Sequence, residues 1–199
     1  MGRRERHKLD VYRRIHQAAV ALFRKQGYEA TTVEQIAERA DVAKGTVFNY
    51  FPSKESLLHA LASDVHVRLL DELGTFESWS GTCREQVVRL LLTLARLAQE
   101  DRVVFRLVLN QNLRDFWRDA QQDPLSHHVK SSVRSALTAG RARGELDPSL
   151  RLEAAARLIE AAFFTTMLDW LNGGIAERAF RREVAGQLEI VFGGLAKRA

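Results

Sequence analysis

The chain is short of the residues that interrupt helices and of those that cross-link folds. It holds 3 prolines and 1 cysteine in 199 residues. Proline removes a backbone donor and breaks helix interiors, so its scarcity leaves room for long helices. Strand-like alternation of apolar and polar residues is absent, which excludes a sheet as the main architecture. Cys83 has no partner for an internal disulfide, and a reducing cytoplasm is the expected compartment. No apolar run is long and clean enough to span a bilayer. The most apolar stretch, AAARLIEAAFFTTMLDWL, carries Arg157, Glu160 and Asp169. The basic start, MGRRERHK, is not followed by the apolar segment of a secretory signal. Arg6 stands where a myristoylation signal requires Ser or Thr.

Signatures of catalysis and metal binding are missing as well. Cys83 has no adjacent base. His127 and His128 lack the i, i+4 spacing that sets two ligands on one helix face, and His59 and His66 lie two turns apart. No glycine loop that cradles phosphate and no nucleophile elbow occurs. The expectation is no enzyme, no cofactor, no metal and no membrane.

What is present is helical. Hydrophobic residues make up 46%, charged residues 28%, and the net charge of +5 leans toward an acidic partner such as nucleic acid. Val11, Ile15, Ala18, Ala19, Leu22 and Phe23 share one helical face, and Gly27 ends that helix, with Tyr28 folding back. Thr32 with Gln35, and Thr82 with Glu85, form capping boxes that open two further helices. Ser53 caps the helix after Pro52. Asp101 begins another helix, and Asp123–Pro124 and Asp147–Pro148 each pair a cap with a first-turn proline. Gly173 and Gly174 close the helix holding Phe163, Phe164 and Trp170, and a last helix runs from about 177 to 195. The fold class is all-α, with roughly nine helices. Residues 1–52 form an N-terminal unit and 53–199 a C-terminal one.

The stretch TVEQIAERADVAKGTVFNYF, at about 33–51, reads as a helix-turn-helix. Ile36, Ala40, Val42 and Val47 are apolar at the core spacing, Ala37 is small where two helices cross, and Asp41 falls at the turn, where a left-handed backbone is tolerated by Asp. A short recognition helix cannot stand alone; Val47 and Phe51 anchor it. Lys44, Thr46, Asn49 and Tyr50 then point outward. Lys44 supplies charge to a phosphate, Thr46 meets a phosphate or a thymine methyl, and Asn49 has adenine as its best geometric partner. Gly45 removes a side chain where backbone must approach DNA. Lys54 opens the following helix, whose free N–H groups also favour phosphate. Arg3, Arg4, Arg6 and Lys8 form either a minor-groove arm or a solvated tail.

GYEATTVEQIAERADVAKGTVFNYFPSKESLL resembles the DNA-binding region of the tetracycline-repressor (TetR) family, and the resemblance covers about 9–60. It implies a cytoplasmic homodimer with a helix-turn-helix head on each subunit, a near-palindromic double-stranded DNA operator, and a body that binds a small-molecule effector. It places Thr32, Lys44, Gly45, Thr46, Phe48, Asn49, Tyr50 and Lys54 at or beside the DNA. Three positions depart from the family pattern. Asp41 replaces the usual turn glycine, Ala43 replaces a common serine cap, and Phe48 replaces a common tyrosine, losing a phenolic donor.

In the body, Phe105, Leu109, Phe116, Phe163, Met167 and Trp170 concentrate bulky apolar groups. They are core or, as the resemblance implies, partly the lining of a pocket for an apolar or aromatic ligand. Small residues such as Ala154 and Ala161, together with Leu158, Val184, Leu188, Val191 and Leu195, mark the last two helices as a dimer surface. The function expected is a ligand-released transcriptional repressor. Two alternatives stay open: a helical protein-interaction module whose DNA head has decayed, and a TetR-like regulator without a small ligand.

Overall fold

The structure is a computed structural model that describes residues 2–74, 76–116 and 124–195, with the side chains at 77, 111–116, 124, 126 and 195 outside that description. Nine α-helices lie among the described residues: α1 (Arg3–Gln26), α2 (Val33–Arg39), α3 (Lys44–Tyr50), α4 (Lys54–Leu73), α5 (Cys83–Glu100), α6 (Arg102–Phe116), α7 (Pro124–Ala142), α8 (Leu152–Leu171) and α9 (Glu177–Leu195). No strand occurs among the described residues.

The helix ends follow local chemistry. Gly27 closes α1 at φ 84°, and the Tyr28 ring returns to 5.1 Å from that of Phe23. The Thr32 and Gln35 side chains satisfy each other's backbone at the start of α2. Thr82 and Glu85 do the same for α5. Asp101 Oδ1 accepts from Val104 N at 3.2 Å and so caps α6. One expected start is displaced. Asp147–Pro148 does not open α8, because Asp147 Oδ1 already accepts from Ser149 N at 2.8 Å and Ser149 Oγ at 2.6 Å. The carboxylate closes a turn instead of capping, and the helix begins at Leu152.

The buried apolar residues form one continuous cluster from Val11 to Phe192. It runs through α1–α3, along α4 and into α5–α9. The long helix α4 packs on α1 and also on α5, α6 and α7, while α1 touches α6 directly. The recognition unit is thus seated on the body through α1 and α4. Among the described residues the α8–α9 pair is the most extensively packed, and no described helix is long and apolar enough to cross a membrane.

Candidate nucleic-acid interface

α3 is a weak helix by its own sequence. It has seven residues, its N-cap Ala43 offers no side-chain acceptor, and Gly45 lies in its first turn. Isolated helices this short are unstable. Tertiary contact holds it: Val47 and Phe51 are buried, and the Phe51 ring lies 5.0 Å from that of Tyr12 on α1. The turn before it takes the left-handed backbone expected of it, with Asp41 at φ 52°.

Two cations outside the exposed face set the geometry of the unit. Arg14 on α1 donates from Nε (3.0 Å) and Nη2 (2.6 Å) to Ala40 O, and from Nη2 to Asp41 O at 2.5 Å. These are the carbonyls left unpaired where α2 ends, so Arg14 ties the turn to α1. Lys54, which the sequence places beside a phosphate, is engaged inside the protein instead. Its Nζ donates to Tyr28 O (2.9 Å) and Thr31 O (3.2 Å) and lies 4.1 Å from the centre of the Tyr28 ring. It clamps the α1–α2 loop, and the free backbone N–H groups of α4 remain the part of that helix available to an anion.

The outward face carries the other expected residues. Lys44, Gly45, Asn49 and Thr32 are exposed, Thr46 and Tyr50 are half-buried, and Phe48 is 41% exposed. Lys44 pairs with Glu34 on α2 and lies 5.8 Å from the Phe48 ring centre. The hydrogen bond from Lys44 holds the Glu34 carboxyl below the usual carboxylate range. Both partners are exposed, so the pair contributes little to stability. A side chain at Gly45 would meet nothing within 4 Å. Glycine costs a helix ~1 kcal/mol relative to alanine, and no packing inside the protein asks for it. The basic residues at the chain start are neither an extended arm nor a coil: Arg3, Arg4, Arg6 and Lys8 are exposed in the first turns of α1.

The body residues are distributed differently from expectation. Phe163, Met167 and Trp170 are packed as core. Trp170 stacks on Phe180 at 4.8 Å and is covered by Arg102, 4.7 Å above its ring. The void that Phe163 shares with Ile159, Val184 and Leu188 measures about 10 Å³, room for a single water at most. Leu109 is buried, and the Phe116 side chain lies outside the described residues. A cleft of about 360 Å³ opens elsewhere, between α1, α4 and the start of α6, and Phe105 lines it. At the end of the chain, Val184 and Leu188 are buried within the protomer. They belong to the α8–α9 seam and not to an outer face. Val191 is half-buried, and the Leu195 side chain lies outside the described residues. Among the described residues of α8 and α9, the large apolar groups that do face out are Leu158, 61% exposed, and Ile190, 78% exposed.

Residues 15–61 match the pattern of bacterial regulatory proteins of the tetR family. The chain is 30% identical to the HTH-type transcriptional repressor KstR of Rhodococcus jostii, across 89% of this chain and 79% of that protein. It is 25% identical to the fatty acid metabolism regulator protein of Bacillus subtilis, across 83% of this chain and 86% of that one. In three dimensions it resembles Thermus thermophilus FadR, a TetR-family transcriptional repressor solved with lauroyl-CoA. That match has a TM-score of 0.71 and 24% identity, and covers 94% of this chain and 96% of that one. The recognition unit held by Arg14 and Lys54, the all-helical body and these likenesses agree: the chain belongs to the TetR family of DNA-binding transcriptional regulators.

Proposed function

We propose that the chain represses transcription as a homodimer on a near-palindromic operator and that a small ligand releases it. The observation that carries the DNA reading is Gly45: a glycine that weakens α3, has open space around it, and lies beside Lys44, Phe48 and Asn49. It is explained by a surface that approaches the helix from outside. In this reading 1–52 is the DNA-binding head and 53–199 the ligand-binding and dimerisation body. Lys44 meets phosphate, Asn49 a base edge, and Thr32, Thr46, Phe48 and Tyr50 the flanking backbone and thymine methyls. The arginines opening α1 lie at the positive end of that helix, where cations are locally unfavourable; phosphate would offset this. Release by an effector is supported by the repressors it resembles, one of them solved with lauroyl-CoA.

Genome-wide selection of bound DNA tests the reading. Two heads on one DNA face select half-sites whose centres lie ~34–36 Å apart, or a multiple. Asn49→Ala relaxes preference at one base position by ~1–3 kcal/mol, whereas Lys44→Ala weakens all sequences alike and reduces the salt slope by about one. Selection that enriches no sequence would instead favour the interaction-module reading.

A further inference from the structure

The cleft between α1, α4 and α6 is not among the expected pocket residues, Phe105 apart. At about 360 Å³, it falls in the ~300–1,000 Å³ range of small-molecule sites. Its apolar surface comes from Val20 and Ala21 on α1, Leu61 and Val65 on α4, and Val104 and Phe105 on α6.

The charges around it are unequally matched. Arg24 pairs with Asp101, and Arg68 with Glu100. Among the described residues Asp64 makes no ion pair with an arginine or lysine; beside it lies His16, whose Nε2 is 3.2 Å from Asp64 Oδ2 but out of line for a hydrogen bond. Burial pushes the His16 imidazole below its ordinary range, against the pull of Asp64, so at neutral pH it is mainly uncharged. The Asp64 side chain is 59% exposed. The cleft therefore presents one carboxylate without a full positive partner, above an apolar floor.

We propose that this cleft binds an apolar amine, with its ammonium on Asp64 and its hydrocarbon against Val20, Ala21, Leu61, Val65 and Phe105. An anion is the poorer occupant. It would face the Asp64 carboxylate, while Arg24 and Arg68 are each already neutralised by a carboxylate in contact. The position gives the site a regulatory consequence, which rests on the DNA-binding reading above. One wall belongs to the first helix of the head, one to α4, and one to the body. A ligand touching all three binds best at one spacing of these helices, and so shifts the head between arrangements of different operator affinity.

Calorimetric titration of the full chain at neutral pH, with phenylbutylamine, phenylbutanol and phenylbutyrate as matched probes, tests the site without DNA. The amine is expected to bind up to about fivefold tighter than the carboxylate, the upper range for one partly exposed charge pair. Asp64→Asn, at an exposed side chain, removes that preference. Ala21→Phe fills the cleft and abolishes binding of all three, with a thermal melt to confirm folding. The proposal is overturned if the carboxylate binds as well as the amine, if the preference survives Asp64→Asn, or if none of the three binds the folded protein. A saturating amine is then expected to change affinity for the selected operator; an unchanged affinity overturns the regulatory half. Failure of the ligand-free protein to select any operator would count against the DNA reading instead, and the calorimetry distinguishes the two.

Discussion

Arg14 lies outside the helix-turn-helix sequence, yet its guanidinium reaches 26 and 27 residues along the chain to the carbonyls of Ala40 and Asp41. Lys54 reaches back 26 and 23 residues to Tyr28 and Thr31. Neither partnership has a local signature, because both join segments that meet only after α1, α2 and α4 have packed. The caps at Thr32 and Thr82 were legible because their partners are three residues away. Arg14→Met removes charge-assisted hydrogen bonds worth ~1.5–3 kcal/mol. Operator affinity and the melting temperature should both fall, and the slope of log affinity against log salt should match wild type. Lys54→Met should behave in the same way, in contrast to Lys44→Ala, which flattens the slope. A flattened slope for Lys54→Met would return that residue to the phosphate backbone. Glu34→Gln removes a negative charge beside Lys44 and should tighten binding to all DNA sequences, read in the same salt titration. At the turn, Asp41 sits at φ 52°, so a β-branched residue there is strained: Asp41→Val should lower stability by ~1–2 kcal/mol in urea unfolding.

At the scale of elements, the apolar periodicity gave the nine helices and the buried face of α1, while the start of α8 was misplaced because Asp147 has two uses and Ser149 decides between them. The contacts between elements were less legible. Nothing in the spacing of His66 on α4 and His128 on α7 marks them as neighbours; the structure brings their rings to 5.0 Å. Burial pushes His128 below its ordinary range, and the neighbouring His66 and His127 push it further. His16, between Tyr12 and Asp64, is also lowered by burial, with Asp64 opposing. Both folded-state values lie below the ~6.5 of an unfolded histidine. The unfolded chain therefore binds more protons as the pH drops through that value, and stability falls until the folded-state values are passed. Urea midpoints should decline between about pH 7.5 and 5.5, and His128→Gln should make the decline shallower. An equal decline in that variant would place the pH dependence elsewhere.

At the scale of the whole molecule, the continuous core makes head and body one packed structure, and α4 is the element that both share. In the proposed dimer, a second copy would cover what the protomer leaves exposed on α8 and α9. α9 carries Gly186, Gly193 and Gly194, and a side chain at any of them would meet nothing within 4 Å. Gly186, Ile190 and Gly193 follow the spacing of a single helical face, and Ile190 is 78% exposed. Leu158 on α8, with Ala154 and Ala161 one turn to either side, is exposed as well. Glycines that weaken a helix without serving its own protomer make sense where another helix must come close, the same reasoning that applies to Gly45 and DNA. Apolar spacing alone could not separate this face from the α8–α9 seam, since Val184 and Leu188 repeat at helical spacing just as Gly186 and Ile190 do. The separation predicts opposite outcomes for two similar substitutions. Leu188→Glu buries a charge in the seam and should unfold the protomer, or cost it several kcal/mol. Ile190→Glu, at an exposed site, should leave stability within about 0.5 kcal/mol in the monomeric state, yet shift sedimentation from dimer to monomer and lower operator affinity. A folded Ile190→Glu protein that still sediments as the wild-type dimer would mean that the subunits associate through a different face.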